Sequence, residues 1–147
     1  MGRIAEPAPG IRERVRRPVS RLLENLLSQI LVVDDSPMVR KILRRVLEGM
    51  GERIVEASNG REALASCSVS MPDAILIDAT LPASDSYDFV KQLRRMHGGA
   101  RPRVVFCMTE NDVAQIARAM HEGADDFMMK PFEAEHVRSK FSPVADP

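Results

Sequence analysis

No stretch of this sequence approaches the roughly 20 apolar residues that a bilayer-spanning helix needs. No leader of basic start, apolar core and small-residue cleavage site opens it. Only two cysteines are present, Cys67 and Cys107, each among apolar neighbours, so the expectation is a pair of buried thiols in a reducing cytosol and not a disulfide framework. There is no CxxC, no HExxH and no internal repeat, and His97, His121 and His136 are scattered, which gives no histidine or cysteine metal centre. Net charge is also missing, at +0 over 147 residues, but the zero is a sum of unlike parts. Residues 1–28 carry Arg3, Arg12, Arg14, Arg16, Arg17 and Arg21 against Glu6, Glu13 and Glu24, a balance of +3, so residues 29–147 carry −3. A mildly acidic body argues against nucleic acid as its main partner, since phosphate backbones are held by clustered Lys and Arg.

With 44% hydrophobic and 29% charged residues, the chain has the composition of one soluble globular domain. Short apolar runs at Ile30–Val33, Arg53–Ala57, Ala74–Ile77, Val104–Met108 and Phe127–Met129 are mostly continuous, as in strands covered on both faces of a parallel sheet. Helical periods lie between them. Val39, Ile42, Leu43, Val46, Leu47 and Met50 form one apolar stripe, with Ser36 placed to cap it, Pro37 at its first position, and Gly49 and Gly51 available to end it. Further helices are predicted over 60–67, over 85–96 with Phe89, Val90 and Leu93 inward, over 111–121 with Val113, Ile116, Ala117 and Met120 inward, and over about 133–141. Five strand–helix pairs in succession predict a (βα)5 doubly wound α/β sandwich of flavodoxin-like type, strand order 2-1-3-4-5, with its site beyond the carboxyl ends of the strands.

That rule collects five polar side chains on one edge: Asp34 and Asp35 after strand 1, Asp78 after strand 3, Thr109 after strand 4 and Lys130, followed by Pro131, after strand 5. Adjacent carboxylates disfavour joint ionisation, and a hard cation such as magnesium relieves the conflict. With a hydroxyl and an ammonium beside it, such an ion would orient the oxygens of a transferring phosphoryl group. Asp78, between the acidic pair and the Thr/Lys pair, is the best-placed nucleophile, and the chemistry is that of an aspartyl phosphate. Each residue alone has a plainer reading, as a helix cap, a loop cap or a solvated charge. Their joint order at five strand ends outweighs it.

VVDDS, AILID followed by LP, VVFCMT and GADDFMMKPF together resemble the receiver domain of two-component response regulators over roughly residues 29–141, and the stretch from Cys107 to Phe132 is similar to a chemotaxis-type subset. The resemblance implies a CheY-like fold and a signalling protein that is not an enzyme, with Asp78 accepting phosphate from a histidine kinase or phosphotransfer protein. It implies Mg2+ held by Asp35, Asp78 and the backbone carbonyl of Thr80, with Asp34 acting through water. Lys130 would pair with the phosphoryl group, Thr109 would swing toward it, and Phe127 would follow as the switch aromatic. The face of helix 4, strand 5 and helix 5 would be read by a downstream protein target. With no output domain expected after Phe141, a stand-alone cytoplasmic receiver signalling by protein contact or phosphate relay, and not by DNA binding, is expected.

Two positions depart from the family pattern. Ser84, Asp85 and Ser86 stand where Met-Asp-Gly is usual, which predicts an altered loop because Ser lacks glycine's access to positive φ. Glu110, after the switch threonine, is commonly small, though the chemotaxis-type subset carries Thr-Glu-Asn as well. These departures keep a second reading in play, a phosphorylation-independent binding module. Phosphatases of the haloacid dehalogenase class also use a strand-end aspartate with magnesium, but they need Asp-x-Asp where this chain has an adjacent pair. A nucleotide cradle would need glycines there. The segment 1–28 is expected to be a partly disordered basic arm with a short amphipathic helix around Leu22, Leu23, Leu26 and Leu27, its arginines available to an anionic partner.

Overall fold

The computed structural model describes residues 28–109 and 113–141. The basic arm with its leucine stripe, and Glu110, therefore lie outside the described residues. In chain order the elements are β1 (Gln29–Val33), α1 (Pro37–Glu48), β2 (Arg53–Ala57), α2 (Gly60–Val69), β3 (Ala74–Asp78), α3 (Asp85–Arg95), β4 (Arg103–Met108), α4 (Val113–Glu122), β5 (Asp126–Met129) and α5 (Ala134–Phe141). All five strands are parallel, in the order β2-β1-β3-β4-β5.

Strand periodicity divides the core into two layers. Leu31, Val33, Ile75, Ile77, Val104, Phe106 and Met108 point to one face, where Ala63 of α2, Phe89, Val90 and Leu93 of α3 and Ala119 of α4 cover them. Ile30, Val32, Leu76, Val105, Cys107 and Met128 point to the other, against Leu43 and Leu47 of α1 and Val137 of α5. Alternation of side chains along each strand makes this division unavoidable once the register is set.

Local signals act as the sequence predicts at α1: Ser36 is extended and its hydroxyl accepts the Val39 N–H at 3.3 Å, with Pro37 first in the helix. Gly49 caps the end, and Gly51 takes the positive φ of 87° that reverses the chain into β2. The helical stripes need two corrections. Ile42, part of the α1 stripe, is 50% exposed, because it lies on the side of α1 turned away from β2, where it lines an open cavity with Thr109, Lys130 and Phe132 while Arg40 and Arg44 take the β2 side. In α4 only Ala119 is fully buried, while Val113 is 79% and Met120 41% exposed and Ala117 is exposed. The helix packs through the line Ile116–Ala119 and not through the broader stripe its apolar residues suggest.

Candidate functional site

The register assembles the strand-end residues before any side chain is considered. Val33 pairs with Ile77 and Met108 with Met129, so Asp34 lies beside Asp78 and Thr109 beside Lys130 one step beyond those pairs. Parity then aims them: Asp34, Asp78, Thr109 and Lys130 each stand two residues after Val32, Leu76, Cys107 and Met128, the strand residues that face α1 and α5. Phe127 has the opposite parity. It is half-buried against the other core layer, paired with Phe106, and the Lys140 ammonium sits 5.9 Å from its ring centroid.

Asp34 is 2% exposed and Asp78 4%, whereas Asp35 is exposed. Each of these acids can offer an oxygen within 4.8 Å of the other two, and among the described residues they form the one group of this kind. Three carboxylate oxygens converging on one point suit a hard, oxygen-seeking cation and fit magnesium by donor chemistry.

Lys130 is the counter-charge. Its Nζ donates to Asp34 Oδ2 at 2.8 Å and lies 3.6 Å from Asp78 Oδ2. Burial alone would pull the ammonium toward neutrality, but the Asp34 hydrogen bond and the charges of Asp78 and Asp34 outweigh it, raising its pKa above the ordinary 10.5. Its N–H is anchored on the Met108 carbonyl at 2.6 Å, and the Lys130–Pro131 peptide is cis. Thr109 is exposed and shares with Lys130 the wall of a cavity of about 550 Å³, completed by Val39, Ile42, Pro131 and Phe132.

Thr80 holds Asp78 from the other side, its N–H and Oγ1 both donating to Oδ1 at 2.9 and 2.7 Å. Beyond it the loop departs from expectation in a specific way. Ser86 lies inside α3 and is not among the positive-φ residues, so its lack of glycine's freedom costs nothing there; the left-handed backbone falls on Ala83 (φ 58°) and Ser84 (φ 59°). Ser86 is fully buried, and its hydroxyl donates to the Ala79 carbonyl at 3.1 Å, directly behind Asp78. Asp85 accepts the Gly60 N–H at 2.6 Å, tying α3 to α2.

Two contributors leave no signal in the sequence. Arg40 of α1 donates to the Asp34 carbonyl, and Glu56 of β2 fixes Arg40, although both look like ordinary surface charges in the sequence. Cys107 sits next to Asp78's strand position, but burial pushes its thiol up to about 12, so it is neutral and inert as a nucleophile.

A doubly wound domain whose strand ends gather three acids, two of them beside one lysine, is a flavodoxin-like fold with an acidic site at its carboxyl edge. The chain belongs to the response regulator receiver domain family, whose sequence profile matches residues 30–142. It is 31% identical over 110 residues to the chemotaxis protein CheY of Bacillus subtilis, covering 74% of this chain and 90% of that protein. It is 35% identical over 114 residues to the KDP operon transcriptional regulatory protein KdpE of Escherichia coli K12, covering 78% of this chain but only 49% of that regulator, so it spans about half that relative's length. In structure it is similar to the chemotaxis response regulator CheY4 of Vibrio cholerae, with TM-score 0.72 and 28% identity over 78% of this chain and 95% of that one.

Proposed function

We propose that this receiver is a phosphorylation switch in which Asp78 accepts a phosphoryl group from the phosphohistidine of a kinase or phosphotransfer protein. The observation that carries the reading is the single ammonium of Lys130 set between Asp34 and Asp78, at 2.8 and 3.6 Å, with Asp35 completing the acidic cluster. Thr80 engages Asp78 Oδ1 twice, which leaves Oδ2 as the less encumbered oxygen for attack on phosphorus. The phosphorus–nitrogen bond breaks as the new phosphorus–oxygen bond forms, and the imidazole leaves. Lys130, charged at neutral pH, moves from Asp34 onto the incoming phosphoryl oxygens. Asp34, Asp35 and Asp78, with the carbonyl of Thr80, would hold Mg2+, which when bound neutralises those oxygens. Thr109 donates its hydroxyl to the phosphoryl group across the cavity it shares with Lys130, and Phe127 adjusts behind it.

The face of α4, β5 and α5 is the output surface, supported by the exposed Val113 and Met120. A chemotaxis-type target or a phosphorelay partner, in a cytoplasmic setting, fits this surface and the similarity to CheY proteins. The +3 charge of residues 1–28, which lie almost wholly outside the described residues, favours an anionic partner for that segment.

The test is amide chemical-shift mapping with Mg2+ and beryllofluoride, a phosphoryl mimic. Shifts should begin around Asp78, Thr109 and Lys130 and extend to α4, β5 and α5, only when magnesium is present. An intact fold with no response would leave a phosphorylation-independent binding module as the better reading.

A further inference from the structure

We infer that Arg40, clamped by Glu56, is a positioning residue for Asp35 in the metal site, an inference that rests on the phosphorylation-switch reading above. Arg40 lies in the first turns of α1, and its side chain turns back over the helix start. Its guanidinium points two ways: one terminal nitrogen donates to the Asp34 backbone carbonyl at 2.6 Å, and Nε donates to Glu56 Oε1 at 2.9 Å. Glu56 projects from β2, the strand beside β1, and its second oxygen accepts from Arg44 Nε at 2.6 Å. The Arg40 side chain is only 17% exposed, so the fork is largely shielded from water.

The carbonyl that Arg40 grips belongs to the peptide joining Asp34 to Asp35, and the orientation of that plane decides where the Asp35 carboxylate projects. Asp34 is already fixed without Arg40: its N–H donates to the Ala57 carbonyl at 3.1 Å, Oδ1 accepts the Ser36 N–H at 2.9 Å, and Oδ2 accepts Lys130 at 2.8 Å. Asp35 is exposed, so its placement depends on the backbone before it. Groups behind metal ligands orient them in this manner, and arginine's rigid fork suits bonds to two acceptors at once.

Charge and geometry make opposite demands here. A guanidinium near a cation site repels the cation, so on charge alone its removal tightens binding. As a positioning device, its removal loosens binding.

The experiment measures Mg2+ affinity by calorimetry, and Mn2+ affinity by electron paramagnetic resonance, on the full chain and on Arg40→Lys, Arg40→Ala, Glu56→Gln and the Arg40→Lys/Glu56→Gln double variant, each checked for fold by circular dichroism. Arg40→Lys, which keeps the charge but loses the fork, should weaken binding about tenfold, and Arg40→Ala at least as much. Glu56→Gln should weaken it less, and the double variant should be no worse than Arg40→Lys alone, because the two residues act through one contact. Folded Arg40 variants with unchanged or tighter metal binding would overturn the inference. A wild-type chain that binds neither ion would instead overturn the metal site itself, and the inference with it.

Discussion

Replacing Lys130 with methionine keeps most of the side chain's length and apolar stem but removes the cation that, among the described residues, lies between two buried carboxylates. At an effective dielectric near 20, unit charges at 2.8 and 3.6 Å attract by about 6 and 5 kcal/mol. Desolvation of the ions offsets much of that, and removing one partner of a buried pair typically costs about 3–5 kcal/mol because the remaining charge is left uncompensated. Lys130 is 18% exposed and its partners 3% and 5%, so solvent screens the site little, and a loss near 3 kcal/mol is expected. Urea unfolding at neutral pH in the presence of a chelator, followed by circular dichroism, should show the midpoint falling by roughly 1–2 M at unchanged slope. Added Mg2+ should then restore more stability to Lys130→Met than it adds to the wild type, since the ion takes over the counter-charge role. A loss under about 1 kcal/mol, or equal gains from magnesium in both proteins, would refute the assignment of Lys130 as the compensating charge.

Ser86→Ala should cost about 1–2 kcal/mol, since the buried hydroxyl and the Ala79 carbonyl lose each other, and should weaken beryllofluoride binding by loosening the chain behind Asp78; thermal unfolding and titration check both. The Arg44 hydrogen bond, with help from Arg40, holds the Glu56 carboxyl below its ordinary 4.5, so the ionised form contributes stability above that value and loses it as pH falls through the folded-state value. Glu56→Gln should therefore lose less stability than the wild type between about pH 5 and 3 in parallel urea titrations, and an identical pH dependence would contradict the pairing. Val113→Ser, at an exposed position, should change stability by less than about 0.5 kcal/mol, whereas Phe89→Ala in the core should cost about 3–5 kcal/mol; a large loss at Val113 would mean α4 is packed through that residue.

The sheet was legible because each strand is a compact apolar run, and the grouping of polar residues at the candidate site was legible because they interrupt those runs where they end. Strand order and parity then convert Asp34, Asp78, Thr109 and Lys130 into neighbours across nearly a hundred residues of sequence. Amphipathic stripes were less reliable: α4 carries more apolar residues than it buries, and sequence spacing cannot tell an apolar face that is packed from one left to solvent. The loop after Asp78 departs from expectation for a different reason. Whether position 86 needs positive φ depends on where α3 starts, and α3 starts at Asp85, shifting the left-handed turn to Ala83 and Ser84. Arg40 and Glu56 were invisible because long-range pairing between a helix and a neighbouring strand leaves no local pattern in either segment.

Covalent modification of one carboxylate is the most direct test of the phosphorylation switch. Incubating the protein with acetyl phosphate and Mg2+, then measuring intact mass and mapping peptides, should give one phosphoryl group per chain, on Asp78, lost when magnesium is chelated and absent from folded Asp78→Asn. Uptake that persists in Asp78→Asn, or no uptake by a folded wild-type chain in saturating magnesium, would contradict it.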